Sequence, residues 1–268
     1  MSVLRELERM EQRVLAALQC VDATTRVPLR EPCAVEGEGI SLVRNRSGLY
    51  VIREWAQLPV HATAFQAPPP QPPVGSLQLE LSVRDPSGRY LPRRVGVLLP
   101  RDPQPNQAAA AGSLFRPIDV AMYPSASAST GANWVVLRVA VTETASGDAL
   151  GGVLLRVVSN GSVLARGLTD WRGEALVPVA GVPVTTWSTE PDAVIVTEIP
   201  VTLEAVFDPN AGQRAPALAV REGRAPVELP MVDPEALENA RAGLPQAATP
   251  VSLAAGRSLS LSLQITLP

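Results

Sequence analysis

The 268-residue chain contains no lysine, a single histidine and only two cysteines. The absence of lysine excludes Schiff-base and lysine general-base chemistry, and all 23 basic residues are arginines. The one histidine, His61, lies in an apolar segment and is interpreted as a structural residue, and no cysteine–histidine cluster has the spacing of a zinc site. Cys20 and Cys33 are predicted to be reduced thiols, and a disulfide between them stays open as an alternative.

Other absences narrow the class of protein further. Aromatic residues form only 4% of the chain, so the core has to be built from valine, leucine, isoleucine and alanine. No apolar run approaches the roughly 18 residues of a membrane helix, which predicts no membrane insertion. A net charge of −3 argues against nucleic acid as a partner. The charged N-terminal residues lack the apolar stretch of a secretion signal, so we expect a cytoplasmic product.

The motifs of common active sites are missing as well. The sequence holds no nucleophile elbow, phosphate loop or dinucleotide fingerprint. The carboxylate pairs Glu36/Glu38 and Asp170/Glu174 sit in or beside predicted turns, where acidic residues are common for backbone reasons. We therefore predict no catalytic residue, no cofactor and no metal ion. The enzyme hypothesis that remains is a hydrolase, in which His61 would need a nucleophile and an acid beside it.

What the chain does contain is a pattern of short apolar runs separated by prolines and glycines. Hydrophobic residues make up 46% of the sequence, which suffices for a core, and this pattern predicts a mainly β fold. Residues 77–83 alternate leucine or valine with polar residues, as in a half-solvated strand. Asn160-Gly161 predicts a two-residue hairpin, and a short helix is predicted over 233–241 with Asp233 as its N-cap.

An amphipathic helix is predicted at the N-terminus, over residues 2 to about 23. Apolar residues recur there at steps of three and four, which places on one stripe Leu4, Leu7, Met10, Val14 and Leu18. This stripe could cover the protein's own sheet or dock onto a neighbouring subunit. We predict the second role, with residues 1–26 as a docking arm.

The last strand has the most regular pattern of the chain. Its apolar residues are Leu259, Leu261, Leu263 and Ile265, and they alternate with serine and glutamine. If such a strand lies at an open sheet edge, it invites pairing with another chain. These four residues are therefore predicted to contact a partner.

The predicted fold class is mainly β, with two antiparallel β-sandwich domains preceded by the amphipathic helix. The first β-domain is placed at residues 27–125, and the second, a transthyretin- or immunoglobulin-like sandwich that includes the last strand, at residues 126–268.

The segment 147–176 resembles the carboxypeptidase-regulatory-like domain, a transthyretin-like β-sandwich. Gly147, Leu150, Gly151 and Gly152 match the first part of that family's pattern, and Gly167, Thr169, Asp170 and Gly173 match the second. The position of Gly152 is more often alanine in the family. The resemblance implies a non-catalytic spacer or assembly module.

The layout of the whole chain resembles accessory structural proteins of phage-tail-like contractile injection systems. The features that carry this resemblance are the helix, the segment 83–92 leading to 98–101, and the following sandwich. It implies a cap, adaptor or baseplate component that binds other protein subunits, in a homo-oligomeric ring. A surface adhesin or carbohydrate-binding module is the alternative, and it would need an export route and clustered aromatic residues.

Overall fold

The computed structural model describes residues 13–63, 69–183, 186–187, 194–195 and 198–268. Strands account for 44% of the chain and helices for 10%, which confirms the mainly β fold. The chain divides into two compact units. The first unit combines Met1–Cys20, Val35–Leu81 and Gly96–Val120, and the second combines Val21–Ala34, Ser82–Val95 and Ala121–Pro268. Each unit thus gathers segments that are distant in sequence, whereas the sequence predicts consecutive domains.

Among the described residues before position 125, the structure contains seven strands and a short helix. They are β1 (Ala16–Asp22), β2 (Ala34–Gly37), β3 (Ile40–Arg44), β4 (Tyr50–Trp55), helix α1 (Pro59–Thr63), β5 (Leu77–Arg84), β6 (Arg93–Leu99) and β7 (Ile118–Met122). A 3-10 turn covers Pro105–Gln107. One sheet has the strand order β3-β4-β1-β7, and a three-stranded sheet has the order β2-β5-β6.

The predicted N-terminal helix is wrong for residues 16–22, which form strand β1. Ala16, Leu18 and Cys20 are buried on one face of this strand, and β1 pairs antiparallel with β4. Val14, Leu18 and Val21 fit helical spacing, but pairing with a strand distant in sequence overrides so short a local pattern. The stripe residues Leu4, Leu7 and Met10 lie outside the described residues.

The remaining strands lie in the second unit. They are β8 (Val135–Glu143), β9 (Ala149–Gly151), β10 (Leu154–Ser159), β11 (Ser162–Leu168), β12 (Glu174–Val179), β13 (Thr186–Trp187), β14 (Val194–Ile195), β15 (Ile199–Val206), β16 (Gln213–Ala215), β17 (Gln246–Leu253) and β18 (Ser258–Ile265). The helices are α2 (Ala217–Arg221) and α3 (Pro234–Ala240), and a 3-10 turn covers Arg241–Gly243.

Two sheets of the second unit share one apolar core. The first has the order β11-β10-β15-β17, and the second has the order β12-β8-β9-β16 with β18 paired to β8. Leu137 and Val139 of β8, Leu155 of β10 and Leu203 of β15 all belong to one buried cluster. Burying each such side chain stabilises the fold by about 1.5–3 kcal/mol.

The turns of this unit follow the sequence pattern closely. Asn160 and Gly161 have φ values of 49° and 78°, as the predicted two-residue hairpin between β10 and β11 requires. In the next turn the Asp170 carboxylate accepts hydrogen bonds from the backbone N–H groups of Arg172 (2.9 Å) and Glu174 (3.0 Å). These local bonds fix the entry into β12.

Helix α3 confirms the short helix that the sequence predicts. Asp233 is its N-cap, and the carboxylate accepts from the backbone N–H groups of Glu235 (3.0 Å) and Ala236 (3.4 Å). Pro234 occupies the first turn, where its missing N–H costs nothing.

The last strand departs from the antiparallel prediction, because β18 pairs parallel with β8. The chain leaves β17 in one sheet and enters the other sheet as β18. Direction in such a crossing is set by the route of the chain between sheets, and a local alternation of residues carries no information about it.

Candidate functional site

Strand β18 has a strand partner on one side only among the described residues. On that side the backbone N–H of Val136 donates to the Arg257 carbonyl (2.9 Å), and that of Thr144 donates to the Ile265 carbonyl (3.0 Å). Backbone groups alternate in direction along a strand, so the odd-numbered residues of β18 face β8. The N–H and C=O groups of Ser260, Ser262 and Gln264 therefore point to the open edge.

The other outer strands of these two sheets are interrupted or charged. Pro178 lies within β12 and Pro250 within β17, and each removes a backbone donor. Strand β11 carries Arg166 and pairs with β10 through an irregularity after Val157. Proline, charge and bulges all discourage pairing with a foreign strand. Strand β18 has none of these features from Ser258 to Ile265.

The apolar face of β18 is covered unevenly. Leu263 and Ile265 are buried in the shared core, with 4% and 0% of their surface exposed, and their contact with a partner stays a prediction. Leu259 and Leu261 are only partly buried at the margin of the same core. The serine and glutamine side chains of the opposite face are exposed. What β18 offers a partner is its backbone edge and the half-covered leucines.

Two stripe residues of the predicted docking arm lie within the described part of the chain. Leu18 is buried in β1 with 1% exposure, so it packs inside the protein. Val14 precedes β1 and is half-buried. The docking role of Leu4, Leu7 and Met10 stays a prediction.

A cavity of about 500 Å³ lies in the second unit. Its walls come from Gly152 and from three loops, at 84–92, 168–171 and 227–232. Trp171, Tyr90 and Met231 contribute apolar surface, and Asp85 and Glu228 contribute carboxylates. A volume of this size is in the range of small-ligand pockets.

The polar groups of this cavity are held by local hydrogen bonds. Burial by itself raises the pKa of Asp85, but hydrogen bonds from Ser87 and from the backbone N–H of Tyr90 outweigh burial and lower it. The Tyr90 hydroxyl donates to the Asp22 carboxylate at 2.8 Å, and burial together with this bond raises the tyrosine pKa. At neutral pH the cavity therefore presents an ionised Asp85 beside a neutral Tyr90.

Two neighbouring glycines, Gly151 and Gly152, lie where the 227–232 loop of this cavity packs on the backbone. A Cβ atom on Gly152 would lie 2.7 Å from a methyl group of Val232, and one on Gly151 would lie 3.0 Å from the Pro230 ring. Gly152 also has a φ of 81°, which side chains rarely allow. These positions are glycine because the 227–232 loop packs directly on the backbone there.

No family model, curated protein or solved structure matches this chain.

His61 lies in the first unit and lines a cavity of about 20 Å³. Burial, and to a smaller extent the charge of Arg13, lowers its pKa below the ordinary value, so the imidazole is neutral at pH 7. The other described residues around this cavity are arginine, proline, valine and leucine. The hydrolase hypothesis requires a nucleophile and a carboxylate beside His61, and these neighbours supply neither.

No group of three or more histidine, cysteine or acidic residues within the described ranges could hold a metal ion. Cys20 and Cys33 are both buried, and neither forms a disulfide, as the sequence analysis predicts. In the part of the chain that the structure describes, none of the helices has the length and apolar character to cross a membrane.

Buried arginines around helix α3 are the polar feature that sequence reasoning misses. Arg93 is fully buried, pairs with Glu235 and donates to the Ala121 carbonyl at 2.8 Å. Arg156 pairs with Glu204, and its Nε lies 2.9 Å from Glu238 Oε2, although the angle is not that of a hydrogen bond. The one signal in the sequence is Arg156 itself, a charge inside an otherwise apolar strand. The pairs Arg93–Glu235 and Arg156–Glu238 attach α3 to strands β6 and β10.

Proposed function

We propose that this chain is a non-enzymatic structural protein that joins protein subunits in a phage-tail-like contractile injection particle. Within such a particle it would serve as a cap, adaptor or baseplate component, assembled in the cytoplasm. Its second unit would be a transthyretin-like β-sandwich of the carboxypeptidase-regulatory-like kind.

The open edge of β18 is the observation that carries the assembly role. An uninterrupted, uncharged strand with free N–H and C=O groups is a template for an added strand. Of the outer strands of these two sheets within the described residues, β12 and β17 carry proline and β11 and β16 carry arginine, so β18 alone has neither. That contrast favours a specific binding edge over nonspecific pairing with other strands.

The glycine pattern supports the proposed type of sandwich. Gly147, Gly152 and Gly173 all have positive φ values, between 73° and 81°, so each of these three matched positions has a backbone reason to be glycine. Thr169 also has a defined role, because its hydroxyl donates to the Leu150 carbonyl at 2.7 Å and accepts from the Val153 N–H at 2.9 Å. The matched residues therefore hold the two halves of the pattern together.

Replacing Ser262 with proline is expected to remove the protein from assembled particles. Its N–H points to the open edge, so proline would remove a donor available to a partner and leave the bonds to β8 in place. Particles would be purified by sedimentation from cells that produce the full-length chain, and the protein content would be measured by immunoblot.

The matched control is Ser262→Thr, which keeps the N–H and suits a strand. It should be incorporated like the wild type, and circular dichroism should show the same fold for both variants. If the wild-type chain sediments with no particle, or if the proline variant is incorporated normally, the proposed function fails.

The cavity at Trp171 favours carbohydrate binding as the second candidate function. An indole beside carboxylates is a surface on which a sugar ring can stack and donate hydrogen bonds, and Trp171, Asp85 and Glu228 all line this cavity. This candidate is the adhesin or carbohydrate-binding alternative.

Glycan-array binding by the full chain tests this candidate. Trp171→Ala should lose the signal, whereas Trp134→Ala, which alters a tryptophan outside the residues that line the cavity, should keep it. The candidate is abandoned if the wild-type chain retains no glycan, or if both variants lose binding equally.

A further inference from the structure

We propose that the strand added to the β18 edge is β18 of a second copy of this chain, running antiparallel about a two-fold axis. This inference rests on the proposed function and names the partner at its joint. Closed two-fold pairs are the commonest oligomers of soluble proteins, because one surface patch then serves both subunits.

The alternation of β18 makes the strand complementary to itself. With the axis at Leu261, Ser260 of one copy lies opposite Ser262 of the other, and Leu259 lies opposite Leu263. Leucine then meets leucine on the core side, and serine meets serine on the outer side. No charged residue within the strand is placed opposite a like charge.

The backbone groups also match in this register. The residues whose N–H and C=O groups point to the open edge are even-numbered, and an axis at Leu261 places even-numbered residues opposite one another. Such pairs exchange both backbone hydrogen bonds in an antiparallel ladder. A register shifted by one residue would place leucine against serine and mismatch these groups.

The uneven burial of β18 is consistent with a covering neighbour. Leu263 and Ile265 are already buried, whereas Leu259 and Leu261 are only partly covered. In the pair, Leu259 gains Leu263 of the second copy as a neighbour, and Leu261 gains its own counterpart. Apolar surface left at the margin of the core would thus be removed from water.

Sedimentation velocity of the full-length protein over a range of concentrations tests the pair. We expect the wild type and Ser262→Thr to form dimers and Ser262→Pro to self-associate at least about tenfold more weakly, because edge hydrogen bonds are lost. A wild-type chain that stays monomeric at every concentration would overturn the inference.

A register test uses two double variants and does not depend on proline. The Ser260→Glu/Ser262→Glu variant would place acid opposite acid, whereas Ser260→Glu/Ser262→Arg would place acid opposite base at both pairs. We expect the first to be monomeric and the second to be dimeric. Equal dimerisation of the two variants contradicts the proposed register and, with it, the pair.

The outcomes separate this inference from the proposed function. If the wild type is monomeric in isolation while Ser262→Pro is lost from particles, the edge binds a different subunit. That result rejects self-pairing and supports the assembly role. If the wild type dimerises through β18 but sediments with no particle, the result supports self-pairing and rejects the assembly role.

Discussion

Replacing Arg93 with methionine is expected to lower the free energy of unfolding by about 2–4 kcal/mol. The side chain is fully buried, and its NH1 donates to the buried Ala121 carbonyl at 2.8 Å while Nε donates to the Arg94 carbonyl at 3.0 Å. Chemical denaturation followed by tryptophan fluorescence would measure the loss.

Backbone acceptors make this arginine different from an ordinary buried ion pair. A pair of side chains can be exchanged for apolar residues with little loss, because both polar partners disappear together. The Ala121 carbonyl remains after any substitution at position 93, and water does not readily reach it once methionine fills the space. The cost of this poorly satisfied buried acceptor therefore stays in the folded state.

Glu235→Gln is the matched control for Arg93. Its side chain is 59% exposed, and Asp233 lies 3.5 Å from the same guanidinium, so part of the compensating charge remains. Water can hydrate the part of the guanidinium that the glutamate no longer contacts. We therefore expect the free energy of unfolding to fall by about 1 kcal/mol or less, as for exposed pairs. If Glu235→Gln lowered the free energy of unfolding as much as Arg93→Met, the ion pair would explain the destabilisation, and the explanation from the Ala121 carbonyl would be wrong.

The local parts of this fold could be predicted from the sequence, because short segments determine them. Asn160-Gly161 produces its hairpin through backbone preferences of two residues, and Asp233 caps α3 through bonds to residues two and three positions away. The alternation of β5 and β18 likewise appears in their burial. In each case the physical cause lies within a few residues of the pattern.

Features that depend on distant segments could not be predicted. Residues 16–22 form a strand because β4 pairs with them, and nothing near Leu18 in the sequence indicates that partner. The parallel direction of β18 is set by the crossing from one sheet to the other. The cavity at Trp171 is assembled from three loops that share no motif, so neither composition nor spacing in the sequence indicates it.

Gly173→Ala is expected to be the most damaging single substitution in the glycine pattern, at about 2–4 kcal/mol of unfolding free energy. Gly173 has a φ of 73°, and an added Cβ would lie 2.5 Å from the Val141 carbonyl oxygen and 3.1 Å from the Leu150 backbone nitrogen. Both neighbours are backbone atoms of strands β8 and β9. They cannot yield as a flexible side chain would, because the Val141 N–H also donates to the Gly173 carbonyl at 2.9 Å.

Gly147 provides a control with the same backbone angle and free space. Its φ is also 73°, and nothing lies within 4 Å of an added Cβ. Gly147→Ala should lower the free energy of unfolding by about 1–2 kcal/mol, because alanine disfavours the left-handed conformation and no other effect is expected. The difference between the two variants therefore measures the steric contact alone. Thermal and urea unfolding of both full-length variants would measure that difference. If the two substitutions destabilise the protein equally, backbone angle alone explains the glycines, and the close packing of the β12 turn against β8 and β9 is not what requires glycine at position 173.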